Sequence, residues 1–303
     1  MADSVYNDFA VTGSASNTGY QRAADNNETV HRTLVVCPPR YYIATKANAL
    51  LEATWDTAMK APKATRIYKF PLAVEGRDKT QAATIQNRPL AGDKKIRAGK
   101  PGIEFVLDVN AALLKKLRTF NTKAVSLYLG DENGNIKGWT DDGAKFRAFT
   151  VQEFFVDEQP FTDGSKAQEV VVFAQFATHT EWNDKRAVLQ PSWDINQKDG
   201  VNDVIVTVTG ATTAGYTISV MRDGIDNTDP AAAVTGCTKP DFVTKKSGVV
   251  HSITGAVTDN GDGTYTVVDV NSSGSFTTEL VACASISLTD EKIEGTAAAS
   301  WTI

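Results

Sequence analysis

The sequence predicts a mainly β protein: an α+β first domain built as a sandwich or barrel-like assembly with one or two helices, followed by a second β-sandwich. Three observations carry this. Apolar residues recur at helical spacing only over Lys46–Lys60 and Ala111–Phe120. Elsewhere, short β-branched and aromatic runs are separated by Asn-Gly and Asp-Gly turns. Beyond Asn202, Thr, Val and Gly dominate and helical periodicity is absent. With 303 residues and ordinary proportions of apolar (42%) and charged (22%) side chains, the chain has material for two cores. The expected division is an N-terminal arm over 1–30, an assembly domain over 31–200 and a sandwich over 201–303.

Residues 1–30 are rich in Asn, Ser, Thr, Asp and Ala without any period, which predicts an extended arm ordered by its neighbours. From Lys46 to Lys60, the residues Ala47, Leu50, Leu51, Trp55, Ala58 and Met59 fall three and four apart, predicting one helix that Pro62 stops. Thr65–Val74 reads as a strand interrupted at Pro71, and Gly102–Val109 as another. Between them lies a polar, basic stretch with Gly76, Pro89, Gly92 and Gly99, suited to an extended hairpin or a mobile loop. A short helix follows at Ala111–Phe120. Lys123–Val156 reads as a meander with turns at 131–135 and 141–143, because Asn-Gly and Asp-Gly supply the positive φ that tight hairpins need. After an Asp163-Gly164 turn, Gln168–Phe176 is a strongly β-branched strand, and 177–200 reads as the exit and linker. The second domain is expected to hold strands at Val204–Thr209, Tyr216–Met221, Val249–Val257, Thr264–Val270 and Ser275–Ala284.

Charge is unevenly distributed. Residues 63–100 carry ten Lys/Arg against Glu75, Asp78 and Asp93, whereas residues 201–303 carry five basic against twelve acidic side chains, within a net charge of −5. Opposite signs at the two ends can steer association between copies. The cationic stretch points to a subunit-interface hairpin formed by Arg77, Lys79, Arg88, Lys94, Lys95, Arg97 and Lys100, inserted into an acidic surface of a neighbour. A solvated hairpin and direct nucleic-acid contact are the other readings, the last limited by having only Tyr68 and Phe70 as stacking material.

No catalytic constellation emerges. H-E-x-x-H, G-x-S-x-G and C-x-x-C are absent, and His31, His179 and His251 read as ordinary surface or core residues. Gly92–Pro101 has six residues between its glycines where a phosphate loop has four, with Pro101 at the Ser/Thr position. Asp131, Asn133 and Asn135 imitate the start of a calcium loop, but Ile136 stands at its glycine position and Asp142 at its bidentate Glu position, so a hairpin turn is favoured. Asp223, Asp226 and Asp229, with Asp259 and Asp262, read as solvated turns or inter-strand calcium ligands. Cys37, Cys237 and Cys283 read as three buried thiols, a Cys237–Cys283 bridge being the lesser alternative. Neither an apolar run of bilayer length nor a leader-like N-terminus is present, so synthesis in the cytoplasm without Sec export and no membrane partner are expected.

Two resemblances sharpen the functional expectation. Asp259-Asn260-Gly261-Asp262-Gly263-Thr264-Tyr265-Thr266-Val267 resembles the D-x-G-D-G-T-Y-x-V hairpin of filamin-like and invasin-like immunoglobulin repeats, and Lys239-Pro240-Asp241-Phe242-Val243 fits the strand that precedes it there. This implies an Ig-like sandwich over the last third of the chain, without the Cys…Trp…Cys arrangement of antibody-type domains. The first 200 residues resemble bacteriophage tail-tube and related ring-forming virion proteins. The residues that carry this are the polar arm, the long charged hairpin before Gly102–Val109, the short helix after it, and the meander closing with Glu169–Phe176; the helix at Lys46–Lys60 departs from that pattern. The resemblance implies a non-enzymatic virion subunit of the tail, made in the host cytoplasm and without cofactor. It would assemble into homo-oligomeric, hexameric rings with other virion proteins around a DNA passage that binds no particular sequence, its Ig-like domain outward. A capsid-decoration or adhesin-type binding protein is the alternative, and a carbohydrate-active enzyme with an Ig-like module the third class.

Overall fold

The computed structural model describes residues 4–7, 30–86, 94–141, 143–158, 169–224, 232–270, 273–288 and 291–303. The chain is mainly β and divides into two compact units, 1–59 with 64–198, and 60–63 with 199–303. Most of the predicted arm, the Asp163-Gly164 turn, Arg88, Asp142, Asp226 and Asp229 lie outside the described residues.

The first unit runs in chain order through β1 (Ser4–Asn7), β2 (His31–Cys37), β3 (Tyr42–Ile43), α1 (Lys46–Leu50), α2 (Glu52–Lys60), β4 (Tyr68–Lys69), β5 (Glu75–Asp78), β6 (Thr84–Gln86), β7 (Lys94–Arg97) and β8 (Gly102–Leu107). It continues with α3 (Ala111–Arg118), β9 (Ser126–Asp131), β10 (Ile136–Trp139), β11 (Phe146–Arg147), β12 (Phe149–Val156), β13 (Val170–Phe176), α4 (His179–Asn183) and β14 (Arg186–Gln190). Twelve of these strands share one sheet, whose main path is β1-β14-β10-β9-β12-β13-β8-β5.

The centre of the unit is the β2–β9 pair, and its period-2 side-chain alternation serves two cores. Leu34, Val36, Leu127 and Leu129 face one cluster with Phe70, Phe105, Phe149, Phe176 and the α3 residues Leu114 and Leu117. Val35, Cys37 and Tyr128 face the other, with Ala49, Trp55, Met59 and Phe146. A pair buried on both faces reads as a continuous apolar run, which T-L-V-V-C and S-L-Y-L do.

Three expectations are corrected. The single helix over Lys46–Lys60 is two helices, because Leu51 is extended (φ −82°, ψ 123°) and half-exposed. The carbonyls freed at the end of α1 are taken by indoles, Trp55 Nε1 donating to Ala49 O at 2.8 Å and Trp193 Nε1 to Leu50 O at 2.7 Å. Residues 177–200 are not merely an exit: β14 pairs with both β1 and β10 and buries Ala187 and Leu189. The meander is incomplete, since β10 and β12 both pair with β9 while β12 continues onto β13.

The second unit contains β15 (Asn202–Thr212), β16 (Gly215–Arg222), β17 (Phe242–Lys246), β18 (Val249–His251), β19 (Val257–Asp259), β20 (Thr264–Val268), β21 (Ser275–Leu280), β22 (Ile293–Gly295) and β23 (Ala299–Thr302). Two sheets, β19-β20-β16-β15-β22 and β18-β17-β21-β23, enclose one core. Among the described residues every pairing is antiparallel except β15 with β22. The inward residues alternate as the pattern requires: Tyr216, Ile218 and Val220 on β16, Tyr265 and Val267 on β20, Phe276 and Leu280 on β21. Here the predicted strand Val249–Val257 is broken, its first part lying in one sheet as β18 and its end in the other as β19.

The Asp-Gly-rich motif does identifiable work in this unit. Gly261 and Gly263 take positive φ (83° and 79°), and Asp259 Oδ1 accepts the Gly261 N–H at 2.8 Å. The motif thereby delivers Tyr265 to the core, where its hydroxyl donates to Val234 O at 2.7 Å and accepts the Cys237 N–H at 3.2 Å.

Candidate functional site: a cationic hairpin

The chain leaves the first-unit sheet after β5 and rejoins it at β8. β5 pairs with β8 over four residues, and the ladder extends outward through Lys79 N–H to Gly102 O (2.9 Å) and Gln81 N–H to Lys100 O (2.8 Å). At Gly99 a Cβ would overlap the Gln81 carbonyl oxygen, so the close approach of the two strands at the root needs glycine. Further out, β6 and β7 pair as Thr84↔Arg97, Ile85↔Lys95 and Gln86↔Lys94, leaving Ile96 as the extra residue of a bulge. Among the described residues no third strand joins these two.

The seven predicted site residues fall into two groups. At the root, Arg77 lies opposite Glu104 in register and bridges Glu75 Oε2 (2.6 Å) and Glu104 Oε1 (3.3 Å), while Lys79 reaches Glu104 Oε2 at 2.9 Å. The hydrogen bond from Arg77 holds the Glu75 carboxyl below its ordinary range. Lys100 Nζ donates to Gln152 Oε1. On the hairpin itself, Lys94, Lys95 and Arg97 occupy β7, and Arg88 lies outside the described residues. The cationic excess counted along the chain is therefore partly spent: Glu104, just beyond the counted segment, engages two cations, Lys69 Nζ donates to Asn196 O at 3.2 Å, and Arg66 is buried.

Sequence reasoning missed the apolar side of this element. Ile85 and Ile96 are 61% and 60% exposed, and every residue of β6 is exposed. The signal was present as a single isoleucine inside each of two polar runs, T-I-Q and K-I-R. On strands this exposed, such residues do not mark a core.

The remaining candidates are engaged in structure. Asp131 is fully buried, its Oδ1 accepting from Asn133 N–H (3.0 Å) and Asn135 N–H (2.9 Å) and its Oδ2 from Asn135 Nδ2 (2.9 Å), which closes a hairpin turn. Asp262 Oδ1 accepts the Thr264 N–H at 2.9 Å. His31 stands edge-on to Trp182, its Nδ1 shut off from solvent; burial, with Lys137 and Arg186 nearby, pushes its pKa down to about 3. His251 Nε2 lies 2.9 Å from Asp269 Oδ2, and His179 is exposed at the start of α4. All three cysteines are buried and unbridged, and burial pushes the Cys37 thiol well up. No helix among the described residues is long and apolar enough to cross a membrane.

No protein-family model matches the chain, and no curated protein is significantly similar to it.

Proposed function

We propose that the chain is a structural subunit, of the phage tail-tube or ring-forming kind, that assembles with copies of itself through the β6–β7 hairpin and carries an Ig-like domain. The observation that carries this is the hairpin: a two-stranded ribbon with two exposed isoleucines and a Lys-Lys-Ile-Arg strand, joined to no third strand among the described residues. An isolated two-stranded ribbon is marginal in water and gains stability by packing on a further surface. Its open edges and isoleucines supply the contact, while its cations favour an acidic one. The second unit's composition, twelve acidic against five basic side chains over 201–303, offers such a surface on another copy.

The Ig-like reading of the second unit is supported by strand order. Lettered A to G in chain order, with β15 as A and β23 as G, the sheets read D-E-B-A and C′-C-F-G, the immunoglobulin arrangement; β22 is an addition beside A. A fold of this kind leaves the function open.

The test is negative-stain imaging and light scattering of the full chain beside its K94E/K95E/R97E variant. Rings or tubes are expected from the parent, with the variant monomeric at low salt. Assembly unchanged by the charge reversal would remove the hairpin from the contact. A parent that stays monomeric and binds capsids or sugars would favour the decoration or adhesin class.

A further inference from the structure

The β17–β18 hairpin presents a second edge, of different chemistry. Ser247 (φ 49°) and Gly248 (φ 84°) form a two-residue turn with positive φ at both positions, the type I′ geometry that closes on the pair Lys246↔Val249. A closing pair of this kind exchanges its hydrogen bonds inward, and the antiparallel ladder alternates, so the N–H and C=O of Val250 point away from β17. No strand among the described residues pairs with β18 on that side, and the space around Gly248 is open.

The side chains along this edge are apolar. Val249 and Val250 are 72% and 66% exposed. Behind β18, His251 is held by Asp269, whose fully buried carboxyl lies 2.9 Å from His251 Nε2 and accepts Thr254 N–H (2.9 Å) and Thr254 Oγ1 (2.8 Å). Residues 247–258 contain no Asp, Glu, Lys or Arg. The two lysines nearest the edge are engaged, Lys245 with Glu279 and Lys246 over the Phe276 ring. Edge strands ordinarily carry a Lys or other charged residue, a proline or a bulge that blocks pairing, and β18 has no Asp, Glu, Lys, Arg, proline or bulge.

We infer that β18 pairs with β18 of a second copy, antiparallel across a two-fold axis through Val250, so that the two four-stranded sheets become one of eight strands. The side chains identify the occupant: with no Asp, Glu, Lys or Arg on the strand and His251 turned to Asp269, two copies meeting about Val250 set no like charges opposite one another, whereas the strand offers a charged partner nothing to select it. A two-fold axis through Val250 sets its outward N–H and C=O against the same groups of the other copy and places Val249 across from His251. Three residues bury far less than the roughly 800 Å² per partner of a standard interface, so the pairing is weak between free copies and is strengthened where copies are already held together. It does not depend on the cationic hairpin.

The test is Val250→Cys in the full chain, in the parent background and in K94E/K95E/R97E, under mild oxidation with non-reducing electrophoresis. Paired residues in a hydrogen-bonded antiparallel site lie about 5.5 Å apart at Cα, within the roughly 4.4–6.8 Å that a disulfide spans. The three native thiols are buried and compete little. A covalent dimer is expected in both backgrounds, forming at least tenfold faster than with Val268→Cys. A Val250→Cys chain that stays monomeric in both backgrounds, or that joins no faster than Val268→Cys, overturns the pairing. So does a cysteine that joins a different added protein and never itself.

Discussion

The two exposed hairpins solve the same local problem with different support. β6–β7 stands as a ribbon of two strands, held at its root by Glu104 and by the close approach at Gly99, and its isoleucines are half or more in solvent. β17–β18 is anchored, because β17 also pairs with β21 over five residues and Phe242 and Thr244 reach into the core. The first has charge and, among the described residues, no further strand beside it; the second has a sheet behind it and no Asp, Glu, Lys or Arg at its edge. Binding elements that depend on a partner are drawn from the least internally supported parts of a fold, whereas an edge on a rigid sheet is already shaped for pairing.

That contrast predicts where substitutions hurt. Phe276, nearly fully buried and stacked on Trp301 at 4.4 Å, lies directly behind Lys246 in the ladder that supports the second hairpin. Phe276→Ala should cost about 3–5 kcal/mol in urea unfolding and loosen β18, with the first unit unaffected. A smaller effect, set by pH, belongs to the other hairpin's foundation. His31, whose carbonyl oxygen packs against Gly76 of β5, takes up a proton at about 3 when folded and at 6.5 otherwise.

Between those values the unfolded chain binds more protons than the folded one, so stability rises with pH, is complete above about 6.5 and falls as the solution is acidified. Urea titrations should show the first unit losing about 2–3 kcal/mol between pH 7 and pH 4. His31→Gln should flatten that dependence; an unchanged slope would place the acid sensitivity elsewhere. The smallest effects separate the hairpins themselves. Gly248→Ala, at φ 84° with open space around it, should cost about 1 kcal/mol. Ile85→Thr should change stability by less than about 0.5 kcal/mol and be detected in assembly alone.

Legibility followed the same physics. The Asp259-Asn260-Gly261-Asp262-Gly263-Thr264 turn could be read because such a turn needs glycine φ values. The apolar spacing of Leu113, Leu114 and Leu117 marked the helix α3 for the same local reason. The break at Leu51 could not be read, since Leu50 and Leu51 continue the helical pattern and the decision rests on Trp193, far along the chain. Nor could β14, a three-residue apolar run whose place between β1 and β10 is a matter of which edges remain open.

By itself, the sequence determined the mainly β class, the turns of the second sandwich, the short helix α3 and the unequal distribution of charge, because each depends on residues near one another in the chain. Only the tertiary structure decided that Glu104 absorbs part of the cationic surplus, that Ile85 and Ile96 face solvent, and that Val250 turns its backbone outward. Those depend on register and on which strands find neighbours, and both are settled by contacts between residues distant in sequence.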